Sequence, residues 1–339
     1  MNRILILALV VASVLAAACT ATPSVAPKLA PTAHSSASPV KSATIRLEVP
    51  DEADIADIPW LMAIDSLGKQ GYNIETMSLS NTLGPVAMAQ GDIDMASLSN
   101  QLAWAAIGKG APIQTVMDKS ANTYMLITNK NVQTCADLDG RPVAVGSVST
   151  VNWAMLNAYL QKECPETQPE ILIVTGGSNR MAALLSDEVD GAMQDIDDLI
   201  ELERERPGEF HALIVLAQAF PGLQLNSHAA NRDFAEQHPE LVKDVIRAVF
   251  AARRTIQDPN VLRDAITKYV GLEPDRAQQA ADTYLARKVW DVSGTYTPET
   301  VQAIIDFLQE FGDMLPELTA DHVADLSYYD AVVDEIGRQ

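Results

Sequence analysis

Thr44-Ile45-Arg46-Leu47-Glu48-Val49 alternates apolar and polar residues with a period of two, which predicts a strand. Beyond Pro50-Asp51-Glu52, Asp57 can cap a helix with Pro59 in its first turn and Trp60-Leu61-Met62-Ala63-Ile64 behind it. Gly68 and Gly71 bracket the end of that helix. Tyr72 to Leu79 reads as a second strand ending in Ser80-Asn81-Thr82, and a helix covers Leu83 to Gln90. Gly91-Asp92-Ile93-Asp94-Met95-Ala96 then gives a turn and a short buried strand, Ile93 to Ala96, followed by the polar run Ser97-Leu98-Ser99-Asn100. A helix from Gln101 to Gly108 and a strand from Ile113 to Met117 continue the alternation, which argues for a mostly parallel sheet.

The same device returns at Asp187-Glu188-Val189-Asp190-Gly191-Ala192-Met193-Gln194-Asp195. It is preceded by strand patterns at Tyr124 to Ile127, Val143 to Val145 and Ile171 to Val174. A helix runs from Gly146-Ser147-Val148-Ser149-Thr150 to about Glu163, and another from Met181 to Asp187. In open α/β sheets, ligands sit outside the carboxyl ends of the strands. Two such ends predict two lobes facing one cleft. Ala212 to Ala217 and Leu223 to Ala229 read as strands that carry the chain back to the first lobe. Helices follow, each started by Pro239, Pro259, Pro274 or Pro298. Val242, Val245, Ile246, Val249 and Phe250 form one apolar stripe, and Val301, Ile304, Ile305, Leu308 and Phe311 another; both are core faces.

At 339 residues and 47% hydrophobic, the chain has room for two domains and a large core. Its net charge of −21 repels nucleic acid phosphates at long range. The five histidines, His34, His211, His228, His238 and His322, are too scattered for a zinc motif, and the three cysteines form no Cys-x-x-Cys pair. No phosphate-binding loop, dinucleotide fingerprint or nucleophile elbow is present. Cys135 lies ahead of the strand Val143–Val145, and the next helix returns antiparallel to bring Cys164 to the same end, away from the cleft, where the two can form a disulfide or stay as two free thiols.

Asn2-Arg3 and the apolar run Ile4 to Ala18 form a secretory signal, too short to span a bilayer comfortably. Ala16-Ala17-Ala18-Cys19 resembles a bacterial lipobox, with Ala16 where leucine is usual; it implies lipidation at Cys19. Residues 19–43 are rich in Ala, Pro, Ser and Thr and read as an unfolded linker.

Gly-Asp-Ile-Asp-Met-Ala, a helix, and Gly-Lys-Gly-Ala-Pro-Ile resemble the periplasmic solute-binding family for sulfonates, nitrate, taurine and thiamine-pyrimidine precursors. Gly91, Asp94, Gly110, Ala111 and Pro112 carry the match, and Asp137-Leu138-Asp139-Gly140-Arg141-Pro142-Val143 is similar to a second family segment, with Arg141 in place of the usual lysine. The resemblance implies an α/β, two-lobed type II periplasmic-binding-protein fold: two mostly parallel sheets flanked by helices around a central ligand cleft. Residues 1–18 would be the signal, 44–122 with 218–339 the first lobe and its carboxyl-terminal helices, and 123–217 the second lobe. It further implies the receptor of an ABC importer, an extracytoplasmic, lipid-anchored monomer that hands a small sulfonate-, pyrimidine- or aromatic-type solute to permease subunits. No catalytic residue, metal or cofactor is expected. An enzyme on the same fold, with Asp195 as acid or base, and a receptor for a membrane kinase are the alternatives.

Four polar groups converge if the topology holds: Ser80-Asn81-Thr82, Ser97 to Asn100, Gly146 to Thr150 and Ser178-Asn179-Arg180. Hydroxyls beside helix starts can cradle an anion or a carbonyl. The expected ligand contacts are Trp60, Asn81, Ser99, Asn100, Tyr124, Ser147, Ser149, Thr150, Asn179, Arg180 and Gln194. Arg180 would pair with an anionic group, and Trp60 or Trp153 would stack on a ring or cover an amine. Asp51, Asp54 and Asp57 read as solvated or capping residues rather than cation ligands.

Overall fold

A computed structural model describes residues 43–80, 82–148, 150–312 and 314–337. The expected signal peptide, Cys19, nearly all of the linker, Asn81 and Ser149 lie outside the described residues. The strands are β1 Thr44–Pro50, β2 Asn73–Leu79, β3 Met95–Ser99, β4 Ile113–Asp118, β5 Met125–Asn129, β6 Pro142–Val145, β7 Glu170–Ile173, β8 Gly191–Gln194, β9 Phe210–Val215 and β10 Asn226–Asn231. Helices α1 Ile58–Lys69, α2 Gly84–Gln90 and α3 Asn100–Gly108 alternate with the first strands; α4 Val151–Glu163, α5 Gly177–Leu185, α6 Ile196–Glu205 and the single turn α7 Leu216–Ala219 accompany the second set. The remainder is helical: α8 Arg232–Gln237, α9 Pro239–Thr255, α10 Pro259–Tyr269, α11 Pro274–Ala286, α12 Pro298–Phe311, α13 Ala320–Val323 and α14 Ser327–Ile336.

The two five-stranded sheets share one plan. The first has the order β2-β1-β3-β10-β4 and the second β7-β6-β8-β5-β9. In each, the second strand of that order pairs parallel with both neighbours, and the fourth runs antiparallel to both of its own. That antiparallel strand is the one next to a crossover: β5 enters the second sheet after residue 118, and β10 enters the first after residue 215. Strands covered on both faces bury every residue, polar ones included, and Met95 to Leu98 and Ile113 to Val116 are buried throughout.

The expected apolar stripes are core faces. Val242, Val245, Ile246, Val249 and Phe250 of α9 are buried, as are Val301, Ile304, Ile305 and Leu308 of α12. Helices α10 and α11 touch α1 and α6 respectively, and α12 touches α4. Helix α1 starts at Ile58 directly after Asp57, as expected, and ahead of it Asp54 and Asp57 cap each other: Asp54 Oδ1 accepts the Asp57 N–H and Asp57 Oδ2 the Asp54 N–H, both at 3.1 Å. Two expected bounds change. Helix α5 begins at Gly177 rather than Met181, because Gly176 at φ 87° turns the chain sharply enough to make Ser178-Asn179-Arg180 its first turn. The strand expected over Leu223–Ala229 is displaced to Asn226–Asn231, its pairing set by β3 and β4. Among the described residues, no helix is long and apolar enough to cross a membrane.

Candidate functional site: the cavity between the sheets

The carboxyl ends of β1, β3 and β4 face the start of β5 and the segment after β6. Between them lies a cavity of about 190 Å3. The first sheet contributes Glu48, Ser97, Ser99 and Lys119, with Asp51, Glu52, Asp54 and Asp57 from the turn after β1. Thr123, Tyr124, Thr150, Val151 and Asn152 line the opposite side. Leu102, Leu225 and Asn226 complete part of the wall.

Glu48 is 4% exposed, and its Oε2 accepts from the Ser97 N–H at 3.1 Å. Burial pushes its carboxyl up to about 8, against the opposing effect of that hydrogen bond. Asp57 is buried too; desolvation raises it to about 6, with the Asp54 charge adding to the shift and Lys119 opposing it. Lys119 Nζ lies 2.6 Å from Asp57 Oδ1 and 3.7 Å from Asp54 Oδ2. Burial works against the Lys119 charge, but Asp54 and Asp57 outweigh it and hold the ammonium above its ordinary value. Across the cavity, the Thr123 hydroxyl donates to Asp195 Oδ1 at 2.5 Å. Burial, then the charges of Asp54, Asp197 and Asp198, raise Asp195 well above the usual carboxylate range.

The crossover that leads from β4 into β5 is fixed from behind. Arg253 of α9 is fully buried; its Nη1 donates to Asp118 Oδ1 at 3.1 Å, and its Nη2 donates to the carbonyls of Asp118 and Lys119 at 2.5 and 2.9 Å. The Ala121 N–H donates to the Val289 carbonyl at 2.7 Å. These bonds set where Lys119 and Thr123 enter the cavity.

Of the expected contacts, Ser99, Tyr124 and Thr150 line the cavity. Trp60 does not. It is 1% exposed, stacks on His228 with ring centroids 4.8 Å apart, and donates its indole N–H to the Glu48 carbonyl at 2.8 Å, so it belongs to the core of the first sheet. Asn100 is buried behind Ser99, where its Nδ2 donates to the Gln224 carbonyl at 3.1 Å. Arg180 turns inward: Nε donates to the Met193 carbonyl at 2.7 Å and Nη1 to the Val174 carbonyl at 3.2 Å, tying the ends of β8 and β7 together. Gln194 is buried and donates to the Gly177 carbonyl, while exposed Asn179 donates to the Thr175 carbonyl. Ser147 lies outside the cavity lining, and its carbonyl accepts the Thr150 hydroxyl at 2.9 Å. Backbone carbonyls at the ends of β7 and β8 capture Arg180, and the Gly177 carbonyl of α5 captures Gln194, before any ligand can.

The acidic side of the cavity escaped the sequence reading. Asp54 and Asp57 do cap, as expected, each accepting the other's N–H, but both also face Lys119 at the cavity. Glu48 carried one signal, a charged residue within an otherwise apolar strand end. The structure also joins Cys135 to Cys164, with Cα atoms 6.3 Å apart. Among the described residues, no group of three or more His, Cys, Asp or Glu side chains is placed to hold a metal.

Comparison with known proteins agrees with this architecture. The taurine-binding periplasmic protein of Escherichia coli (strain K12) is 26% identical over 185 residues, which are 52% of this chain; the match spans 55% of that protein, about half its length. The ligand-binding component of an ABC-type import system from Staphylococcus aureus superposes with a TM-score of 0.70 at 16% identity, covering 85% of this chain and 98% of that one. The periplasmic nitrate-binding protein of Synechocystis PCC 6803 superposes with a TM-score of 0.68 at 11% identity, covering 86% and 89%. The model of the NMT1/THI5-like family matches residues 69–260, more than half of the 339, and the chain therefore belongs to that family.

Proposed function

We propose that this chain is the extracytoplasmic solute receptor of an ABC importer. The observation that carries the reading is the cavity between two sheets of identical strand order, lined from both sides by hydrogen-bonding side chains. The similar proteins are named as binding components for taurine and nitrate and of an import system, which supports the same role here. A solute held by Ser99 on one side and Tyr124 and Thr150 on the other would favour the closed arrangement of the lobes, and the surface so formed would engage the permease. The amino-terminal signal and Cys19 support export and a lipid anchor, with residues 19–43 as the tether. Lobe one would comprise residues 44–122 with 218–339, and lobe two residues 123–217.

Asp195 is the acid or base expected of an enzyme on this fold. Asp195 instead N-caps α6: it forms a capping box with Asp198 and accepts the Thr123 hydroxyl. We therefore read the chain as a binding protein. A melting screen against a library of small solutes, followed by calorimetry, tests this. The expected result is a saturable rise in melting temperature for a narrow class of compounds; a flat response across all classes contradicts the receptor role.

A further inference from the structure

We infer that the cavity is built for a solute bearing an organic ammonium group, with Glu48 as its principal ion partner. This rests on the receptor reading and goes further by naming the charge of the solute. Five carboxyl side chains line the cavity, Glu48, Asp51, Glu52, Asp54 and Asp57, against one basic residue, Lys119. That lysine is buried and already paired with Asp57 and Asp54, so its charge is answered within the protein. Arg180, the cation an anionic solute would need from the second lobe, donates instead to the Met193 and Val174 carbonyls.

Glu48 distinguishes this wall from a solvated acidic surface. Its side chain sits in the cavity lining at 4% exposure. One oxygen accepts the Ser97 N–H; among the described residues, no hydrogen bond reaches the other. That second oxygen is not sealed from solvent, so it is open to a short charge-assisted bond from an ammonium that enters the cavity. A bare metal ion is disfavoured because no group of three or more ligating side chains is assembled among the described residues. Tyr124, Leu102, Val151 and Leu225 give the rest of the cavity an apolar side suited to the carbon skeleton of an organic cation.

The raised carboxyl of Glu48 adds a signature. A cation entering beside a group that titrates near 8 drives its proton off, in a field set also by Asp57, Asp51 and Lys119. Binding at pH 7 should release a proton, and affinity should rise with pH.

The test uses the folded chain with four probes at matched concentration: ethanolammonium, tetramethylammonium, ethanesulfonate and nitrate. The expected result is a melting shift and calorimetric heat for at least one ammonium probe and neither anion. In buffers of differing ionisation heat, that heat should report proton release at pH 7. Glu48→Gln, which keeps an acceptor for Ser97, should weaken the ammonium about 10- to 100-fold. The paired surface change Asp51→Asn with Glu52→Gln should weaken it less and mainly at low salt. Binding of ethanesulfonate or nitrate with no ammonium response overturns the assignment of charge and leaves the receptor reading standing. Ammonium binding unchanged by Glu48→Gln overturns the role of that residue. If all four probes fail, a compound co-purifying with the chain decides: an anionic or neutral solute overturns the inference, and no solute at all removes the receptor reading with it.

Discussion

The two copies of the turn-strand device are alike in backbone and unlike in use. At the first, the Gly91 N–H donates to the Met88 carbonyl and the Asp92 N–H to Ala87; at the second, Asp187 donates to Leu184 and Glu188 to Ala183. In both, the next aspartate joins the matching strand of its own sheet, β1 or β6: the Asp94 N–H donates to the Arg46 carbonyl at 2.7 Å and the Asp190 N–H to Pro142 at 2.9 Å. Each aspartate also pairs with an arginine, Arg46 in the first sheet and Arg141 in the second. The copies part at the strand ends. Ser97 and Ser99 open onto the cavity, and Ser99 makes no side-chain cap bond to α3. Their counterparts, Met193 and Asp195, are turned to internal tasks, one as the carbonyl that takes Arg180 and the other as the cap of α6. Equal backbone geometry therefore does not mean equal chemistry. The first sheet supplies the charge of the site and the second mostly neutral donors and acceptors.

The largest effect should come from the buried ion pair behind the first crossover. Arg253→Ala strands Asp118 without its buried partner and should cost about 3–5 kcal/mol in urea unfolding. An effect under 1 kcal/mol would mean that α9 does not fix the crossover.

Next is the pH dependence of the charged side. A carboxyl whose folded value lies above its unfolded one binds its proton more tightly in the native state. The contribution of Glu48 to stability is therefore full below about 4.5 and declines as pH rises through about 8. The slope reaches at most about 1.4 kcal/mol per pH unit. Glu48→Gln should flatten the unliganded chain's stability between pH 5 and 8, by melting curves in matched buffers. An unchanged slope would place the titration elsewhere.

The two arginines offer a direct contrast. Arg180→Ala removes donors from two strand-end carbonyls and should cost about 2 kcal/mol. Arg46→Ala leaves the Asp94 side chain, 2% exposed, without its guanidinium partner and should cost more, about 3 kcal/mol. A cost below that of Arg180→Ala would mean that the first device does not depend on its buried aspartate.

The smallest effect lies in the turns. Gly91 has φ 76° and Asp187 has φ 59° at matching positions. A side chain in the left-handed region costs about 1 kcal/mol. Gly91→Ala, whose Cβ would meet nothing within 4 Å, should therefore destabilise by about that much. Asp187→Gly should gain a few tenths, since it also gives up an exposed pair with Arg206. Opposite signs in a paired melting experiment would confirm that the turns are equivalent.

The sequence by itself determined the alternation of strands and helices, the proline-started helices and both devices. These follow from local rules: residue period, glycine or aspartate at a turn, and a missing N–H in a first helical turn. It also determined the family resemblance through Gly91, Asp94 and Gly110 to Pro112. Only the tertiary structure decided which polar side chains meet the cavity. Arg180, Gln194, Asn100 and Trp60 are polar or amphipathic residues near the right strand ends, and nothing in their spacing shows that a carbonyl from another segment lies within reach. Glu48, Asp57 and Lys119 became a site only when β1, the turn after it and the end of β4 were brought side by side. Periodicity tells which face of an element avoids water, whereas the partner of a buried polar group depends on what the rest of the chain places beside it.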